Sequence, residues 1–361
     1  MAGQFLAIYE ETVRGTLPGA PTFFGLPVTS NLQPTLNNTD EPRKEFRGQD
    51  TALGDANAIR RESQWTHTIE TPWYPGCPAT QLLLKHFFGH QGTRSVIDTT
   101  AFKGIFYPIS EIYGAGPLGT TAIGLAVNTE EGGSTLETCY GGGRVTSLTV
   151  KGEGTGDVML TFEMMGAGSW IGCVDDPETA GVTFPTTDPF VSSDVTCFIS
   201  TGIVRTGTAP DYTDIDPSAM TAFIPDSFEI TLTNGLEDKV VMNGVRGPSK
   251  TSRAGQFSCS IATPIDYEDP ATGFSSADEF KRLFTGVATN SIAFSFDNGS
   301  LAGSATENYT AVVDIPKGLL NAESPERNNE GQTPSVALTY TSLIDVAVEK
   351  PVFIQTVDQL A

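Results

Sequence analysis

The sequence predicts an all-β protein with short helices, built as two tandem copies of one module. Three observations carry this expectation. Short runs of alternating apolar and polar residues recur along the chain, separated by frequent Gly (38 residues) and Pro (23 residues). That is the texture of strands joined by turns. A length of 361 residues suits two domains better than one. Matching strands and helices also occur in the same order in each half, the sequence mark of an internal repeat.

The match is clearest at one strand. Arg61–Pro72 (RESQWTHTIETP) aligns without a gap with Arg253–Pro264 (RAGQFSCSIATP). Successive side chains of a strand point to opposite faces. Trp65, His67 and Ile69 therefore share a core face, as do Phe257, Cys259 and Ile261. Gln64, Thr66, Thr68 and Glu70 form the opposite, polar face of the first copy; Gln256, Ser258, Ser260 and Ala262 form that of the second. Upstream, Asn31–Asn38 matches Ser227–Asn234 as a partner strand, and each copy reaches an Arg-Gly pair, Arg47-Gly48 and Arg246-Gly247. Polar loops, Gln49–Arg60 and Pro248–Ser252, complete what reads as two long antiparallel hairpins.

After Thr-Pro each copy predicts a helix, Ala79–Phe88 before Gly89 and Ala277–Phe284 before Gly286. Leu83 and Phe87 correspond to Phe280 and Phe284, i,i+4 pairs expected to dock on the sheet. Ser276 is the expected N-cap, with Glu279 completing a capping box. Arg144–Met165 and Lys317–Leu343 are expected as back-sheet strands, with Asp157–Phe162 aligned on Ser335–Tyr340. Thr121–Asn128 and Ser291–Asp297 precede them as further strands. The predicted boundaries are a first module over residues 1–170 with an N-terminal arm, a linker or exposed loop over 171–190, and a second module over 191–361 with a C-terminal arm, Pro351–Ala361.

Composition narrows the function. The chain carries 21 basic and 43 acidic residues, a net charge of -22. Binding nucleic acid by neutralising phosphates needs the opposite balance. Five widely spaced cysteines without a CxxC pair predict reduced thiols rather than a zinc site. The N-terminus has no basic, apolar leader pattern, and no run of about 18 apolar residues predicts a membrane span. His86 and His90 are four apart, but Gly89 ends the helix between them and no third ligand is near, so both read as packing or surface residues. Gly152–Gly156 lacks the Lys and helix of a phosphate loop and reads as a turn. Gly141–Gly143 reads as a bulge or corner. No catalytic, cofactor or metal site is predicted, and the chain reads as a non-enzyme.

The Thr-Pro-ended strands Arg61–Pro72 and Arg253–Pro264, the helices ending at Gly89 and Gly286, and the late V-x-L-T-[FY] strands together resemble the tube module of long-tailed bacteriophage tail tube proteins. Ala7–Val13 with Gly15, and Pro351–Ala361, resemble that family's arms. The resemblance implies two tandem tube-type β-sandwich or half-barrel modules, each flanked by one α-helix. Single-module members form hexameric rings, so a doubled module implies a homotrimer that is pseudo-hexameric, stacked into a tube. It further implies a virion tail protein made in the host cytoplasm, with an acidic-lined channel that DNA traverses during ejection without specific binding. Tape-measure, tail-terminator and distal tail proteins are the implied partners. The candidate lumen face is Gln64, Thr66, Thr68, Glu70, Gln256, Ser258 and Ser260; the candidate ring-stacking residues are Asp50, Asp55, Arg60, Lys250 and Arg253. The alternatives are a tube or baseplate-hub protein of a contractile injection system and a β-sandwich surface-binding module.

Overall fold

The structure, a computed structural model, describes residues 4–42, 58–98, 100–113, 115–131, 134–167, 169–171, 181–200, 203–239, 250–303, 306–326 and 333–360. Strands dominate. The first part of the chain forms β1 (Phe5–Glu11), β2 (Phe24–Leu26), β3 (Thr35–Pro42), β4 (Ala58–Pro72), α1 (Pro78–Phe88), β5 (Ser95–Asp98), β6 (Ala101–Phe106), β7 (Ala122–Glu131), β8 (Ser134–Glu153), β9 (Met159–Gly166) and β10 (Ser169–Ile171). The remainder forms β11 (Val195–Ser200), β12 (Val204–Thr208), β13 (Asp211–Asp216), β14 (Thr221–Phe223), β15 (Ser227–Thr233), β16 (Leu236–Lys239), β17 (Lys250–Arg253), β18 (Ser258–Asp266), α2 (Ser276–Arg282), β19 (Thr289–Leu301), β20 (Asn308–Ala322), β21 (Ser335–Ser342) and β22 (Phe353–Asp358). The protein is therefore mostly antiparallel β-sheet with two short α-helices among the described residues.

One layer is a continuous antiparallel sheet in the order β3-β4-β9-β8-β15-β18-β21-β20. Its strands alternate, and the apolar set of each faces the same way. Ile69 stands opposite Phe162, and Phe162 opposite Leu148; Ile261 stands opposite Tyr340, and Tyr340 opposite Leu320. A one-residue slip would turn every one of these side chains to solvent, so burial fixes the register.

The long strands β8 and β20 carry the chain into a second layer. The N-terminal part of β8 pairs with β7 and β10, β7 pairs with β1, and β1 with β2. The N-terminal part of β20 pairs with β19 and β22, β19 with β11, and β11 with β14. The turn of β8 between layers falls at Gly142, with φ +70°, and Gly143, where a Cβ would stand 2.6 Å from the Ile123 carbonyl oxygen. A side chain there would block the corner. One apolar core fills the space between layers and runs through both halves of the chain. Trp73 joins them, with its ring 5.4 Å from Phe190 and 4.9 Å from Phe296.

Several expectations are corrected. The strands expected as a back sheet lie in the same layer as the hairpins, because β9 pairs directly with β4 and β21 with β18. The second hairpin is broken: β17 and β18 are separated at Ala254–Phe257, where the Ala254 and Gly255 N–H groups both donate to Gly235 O. Gly235 has φ +65°, and a Cβ on it would stand 2.5 Å from Gly255 O. The partner-strand match is also displaced by two residues, since Thr35 faces Thr66 whereas Thr233 faces Ser258. A shift of two preserves the faces, so alternation alone did not reveal it.

The N-cap of α2 is Ser275, whose Oγ accepts from Asp278 N; Ser276 Oγ instead donates to Asp266 O. Phe87 is fully buried, but its match Phe284 is 77% exposed. Neither terminal segment is an arm in the chain's own fold. Residues Phe5–Glu11 form β1 against β7, and Phe353–Asp358 form a buried strand between β20 and β6. Cys77, Cys197 and Cys259 are free and buried, but Cys139 is disulfide-bonded, contrary to the expectation of reduced thiols throughout.

Replacing Trp73 with alanine removes the aromatic contact between the halves. Large aromatic truncations in a core cost about 3–5 kcal/mol. A urea unfolding midpoint unchanged in Trp73→Ala would contradict this role.

Candidate functional site

Two features stand out once the sheet is laid out: its polar face, and the joint at which the halves meet. The polar face follows from alternation. With the apolar set turned to the core, the other set lies in rows across the strands. One row runs Thr68, Glu163, Ser147, Thr233 and Ser258; the next runs Glu70, Thr161, Thr149, Thr231, Ser260 and Thr341. Short hydroxyl side chains fill most positions. Glu163 accepts from Ser147 Oγ at 2.8 Å and Asn37 Nδ2 donates to Thr66 Oγ1 at 3.3 Å, so neighbours on these rows are partly tied together. Glu229 stands opposite Lys151, an exposed cation of β8 on this face.

The expected residues fall as follows. Thr66, Thr68, Glu70, Ser258 and Ser260 are exposed on this face, and Gln64 is half-buried at its margin. Gln256 is exposed but lies in the break before β18. His67 and Cys259 occupy matching core-side positions and are buried. Burial lowers the His67 pKa to about 4 and pushes the Cys259 thiol up to about 12, so both are neutral near pH 7. A cleft of about 580 Å³ on this face is lined by Ser30, Thr66, Thr68, Glu70, Glu163 and Met165 among others, with no Phe, Tyr or Trp. The large aromatic platforms that stack sugars or bases are therefore missing from it, and the one ring there, His67, is buried.

Of the candidate stacking residues, Asp50 and Asp55 lie outside the described residues. Arg60 lies in β4 opposite Asp40, and its side chain is likewise outside. Lys250 is exposed in β17. Arg253 is half-buried and its Nη2 donates to Ile109 O at 2.9 Å, so it is engaged within the chain.

The residues that form the joint were not anticipated. Ser147–Glu153 of β8 pairs with Thr233–Ser227 of β15 along its whole length, which makes one sheet of two. Asn234, fully buried at its end, donates from Nδ2 to Val145 O (2.5 Å) and Phe87 O (3.4 Å), and its N–H donates to Thr146 O. The ring of Phe257 covers Phe87 and Phe88 at centroid distances of 6.0 and 6.2 Å. The hairpin of β16 and β17 then folds over the first half. Arg14 is ion-paired with Asp238, Thr251 Oγ1 accepts from Arg14 Nη1 at 2.9 Å, and Arg144 stacks 3.6 Å above the Tyr113 ring. Charged and apolar contacts thus close the same seam, and side-chain desolvation there makes breaking a single partner costly.

Two carboxylates beside this seam have opposite acidities. Glu10 holds α1 through Lys85 Nζ at 2.9 Å and through His86, whose Nε2–H donates at 3.1 Å. That hydrogen bond, with Lys85, lowers the Glu10 pKa to about 2. His86 is fully buried and its pKa is lowered to about 4, so it donates as the neutral ring. Glu11 is fully buried; desolvation pushes it up to about 7 although Gly15 N and Gly142 N both donate to its Oε2.

Among the described residues no cluster of three or more His, Cys, Asp or Glu side chains could hold a metal ion, and no helix is long and apolar enough to cross a membrane. No protein-family model matches the chain, and no curated protein matches it.

Glu11 generates a pH prediction. A carboxyl whose folded pKa lies above its unfolded value contributes stability that is full below about pH 4.5 and is lost as pH rises through 7. Glu11→Gln keeps an oxygen for Gly15 and Gly142 without the charge. It should stabilise the protein at pH 8, by on the order of 3 kcal/mol at most, and change nothing at pH 4.5. Equal melting-temperature shifts at both pH values would show that ionisation of Glu11 is not the cause.

Proposed function

We propose that this chain is a structural subunit of a bacteriophage tail tube. In this reading residues 1–170 and 191–361 are two tandem tube-type modules, three chains close a pseudo-hexameric ring, and stacked rings form an acidic-lined channel. The observation that carries the reading is the joint: two halves with corresponding strand pairings merge edge to edge through β8 and β15 into one sheet with one polar face. A tube wall needs modules that continue each other's sheet, because closure removes the exposed edges that otherwise aggregate. The pairing β4–β9–β8 recurs as β18–β21–β20 with the sequence-matched residues Ile69 and Ile261 facing Phe162 and Tyr340, which supports a duplicated unit.

The surface chemistry fits passage rather than retention. Glu70, Glu163 and Glu229 lie on the polar face with many Ser and Thr hydroxyls. Neutralising DNA phosphates, the main source of affinity, takes Lys or Arg. Like charge on the wall weakens binding without any specific contact. The chain's role is then mechanical, the tube subunit is its own main partner, and its place is the virion tail. Tape-measure, tail-terminator and distal tail proteins are the further partners this reading calls for.

Negative-stain electron microscopy of purified protein at high concentration tests the reading. Rings or tubes with a central hole are expected. A compact monomer at every concentration would contradict it. The channel assignment has its own test. Tubes of the Glu70→Lys, Glu163→Lys, Glu229→Lys variant should retain DNA at low salt and release it as salt rises, whereas wild-type tubes should retain none. Equal retention by both would remove these residues from the channel.

A further inference from the structure

Asp297-Asn298-Gly299-Ser300 lies near the end of β19 and interrupts its ladder. Asp297 stands opposite Thr310 and Leu301 opposite Asn308, so Asn298, Gly299 and Ser300 together face Tyr309. They form a bulge outside the regular pairing. Gly299 has φ +69°, which residues with a side chain rarely adopt, and the space its Cβ would take is open. Asn298 is half-buried and Gly299 exposed, so water reaches this step of the backbone.

The hydrogen bonds of this bulge fall on the atoms that an Asn-Gly step uses to cyclise. Gly299 N–H donates to Asp297 Oδ1 at 2.8 Å, so a carboxylate already holds the proton that the nucleophile must lose. Ser300 N–H donates to Asn298 Oδ1 at 3.0 Å, the oxygen on which negative charge collects when Cγ becomes tetrahedral. Asn298 Nδ2, the leaving nitrogen, donates to Asp188 O at 3.2 Å, which fixes the direction of the amide. Asn308 Nδ2 lies 3.2 and 3.3 Å from the two Asp297 oxygens and steadies the base.

The same dipeptide at Asn234-Gly235 supplies a contrast within the chain. Asn234 is fully buried, and its Nδ2 is held by Val145 O and Phe87 O in the seam. Its Oδ1 accepts from Leu236 N at 3.1 Å, so both steps have a donor on the amide oxygen. Asn298 differs in its exposure to water and in the Asp297 carboxylate on its nucleophile.

We infer that Asn298-Gly299 is a self-catalysed deamidation site, with Asp297 as its base and Ser300 N–H as its oxyanion donor. The Gly299 nitrogen gives its proton to Asp297 and attacks Asn298 Cγ, forming a C–N bond and placing the charge on Oδ1. As the carbonyl re-forms, the bond from Cγ to Nδ2 breaks, and the nitrogen leaves as ammonia with the proton from Asp297. Water then opens the cyclic imide at either carbonyl, leaving aspartate or isoaspartate, so the net change is water in and ammonia out. The product has no Nδ2–H for Asp188 O and sets a carboxylate against that carbonyl. Deamidation therefore releases the segment before Phe190, which packs on Trp73 between the halves, from the end of β19. The chemistry is the same whether or not chains assemble into a tube.

Peptide mass spectrometry of the full-length chain held at pH 8 tests the site. The Asn298 peptide should gain the mass of an amide-to-acid exchange, with isoaspartate present, while the Asn234 peptide stays unchanged. In guanidinium chloride both should react, and Asn298 should react about tenfold more slowly there than in the folded chain, because base and oxyanion donor are no longer held. Asp297→Asn keeps an oxygen for Gly299 N–H without the base, and should slow the folded reaction by about tenfold or more. Slower reaction of Asn298 in the folded chain than in denaturant, or equal rates in wild type and Asp297→Asn, would overturn the built site. Asn298→Asp reads the consequence: amide hydrogen exchange over residues 185–190 should rise above wild type. Unchanged exchange there would overturn the release of that segment.

Discussion

The pairing of β8 with β15 is the constraint on which the rest depends. A sheet edge exposes a row of backbone donors and acceptors, and each one buried without a partner costs about 1–3 kcal/mol. Joining the edges of the two halves satisfies those groups and at the same time aligns both polar faces. It also places the second hairpin over the first helix, so Phe87, Phe88 and Arg14 acquire partners that lie far away in sequence. The seam is thus a backbone ladder, an aromatic cover and an ion pair acting along one line.

The same pairing explains why the two halves differ. Phe87 and Phe284 are matched residues in matched helices, yet one is covered and the other bare. The difference is not local. It arises because β15 continues the edge of the first half and carries Phe257 over Phe87, whereas the matching edge of β20 is taken by Ala288–Asn290 at the start of β19. The outer layer departs from a simple repeat as well. The strand β22 carries β6 and β5 of the first half alongside β20, so the two halves are laced together on that side. The hairpin β12–β13 is fastened there by Arg205, whose Nε and Nη2 donate to both oxygens of buried Asp314 at 2.7 and 2.9 Å.

What could be read from the sequence follows from which signals are local. The strand Arg61–Pro72 alternates strictly, so its two faces were legible, and Thr66, Thr68 and Glu70 emerge together on the polar side. The first helix was legible from its spacing and its Gly89 stop; the second was placed correctly, but it ends at Arg282 with Leu283 as its C-cap, short of Gly286. Strand neighbours were not, because alternation states which face is buried but not which strand lies alongside. Pro351–Ala361 reads as a C-terminal arm, yet its polar residues Gln355, Thr356 and Asp358 are buried. In the fold each has a partner: Gln355 Oε1 accepts from Ile215 N at 2.8 Å, Thr356 Oγ1 accepts from Gln81 Nε2 at 3.2 Å, and Asp358 pairs with Arg94. The seam escaped for the same reason. Asn234, Arg14 and Asp238 carry no motif, and only the fold brings them together.

The central claim is that the chain supplies two sheet-forming units that continue one another around a ring. Native mass spectrometry of isolated rings tests it most directly, because it counts chains without regard to shape. Three chains per ring is the result this account predicts. Rings of six chains, in which each molecule contributes as a single unit, would contradict it.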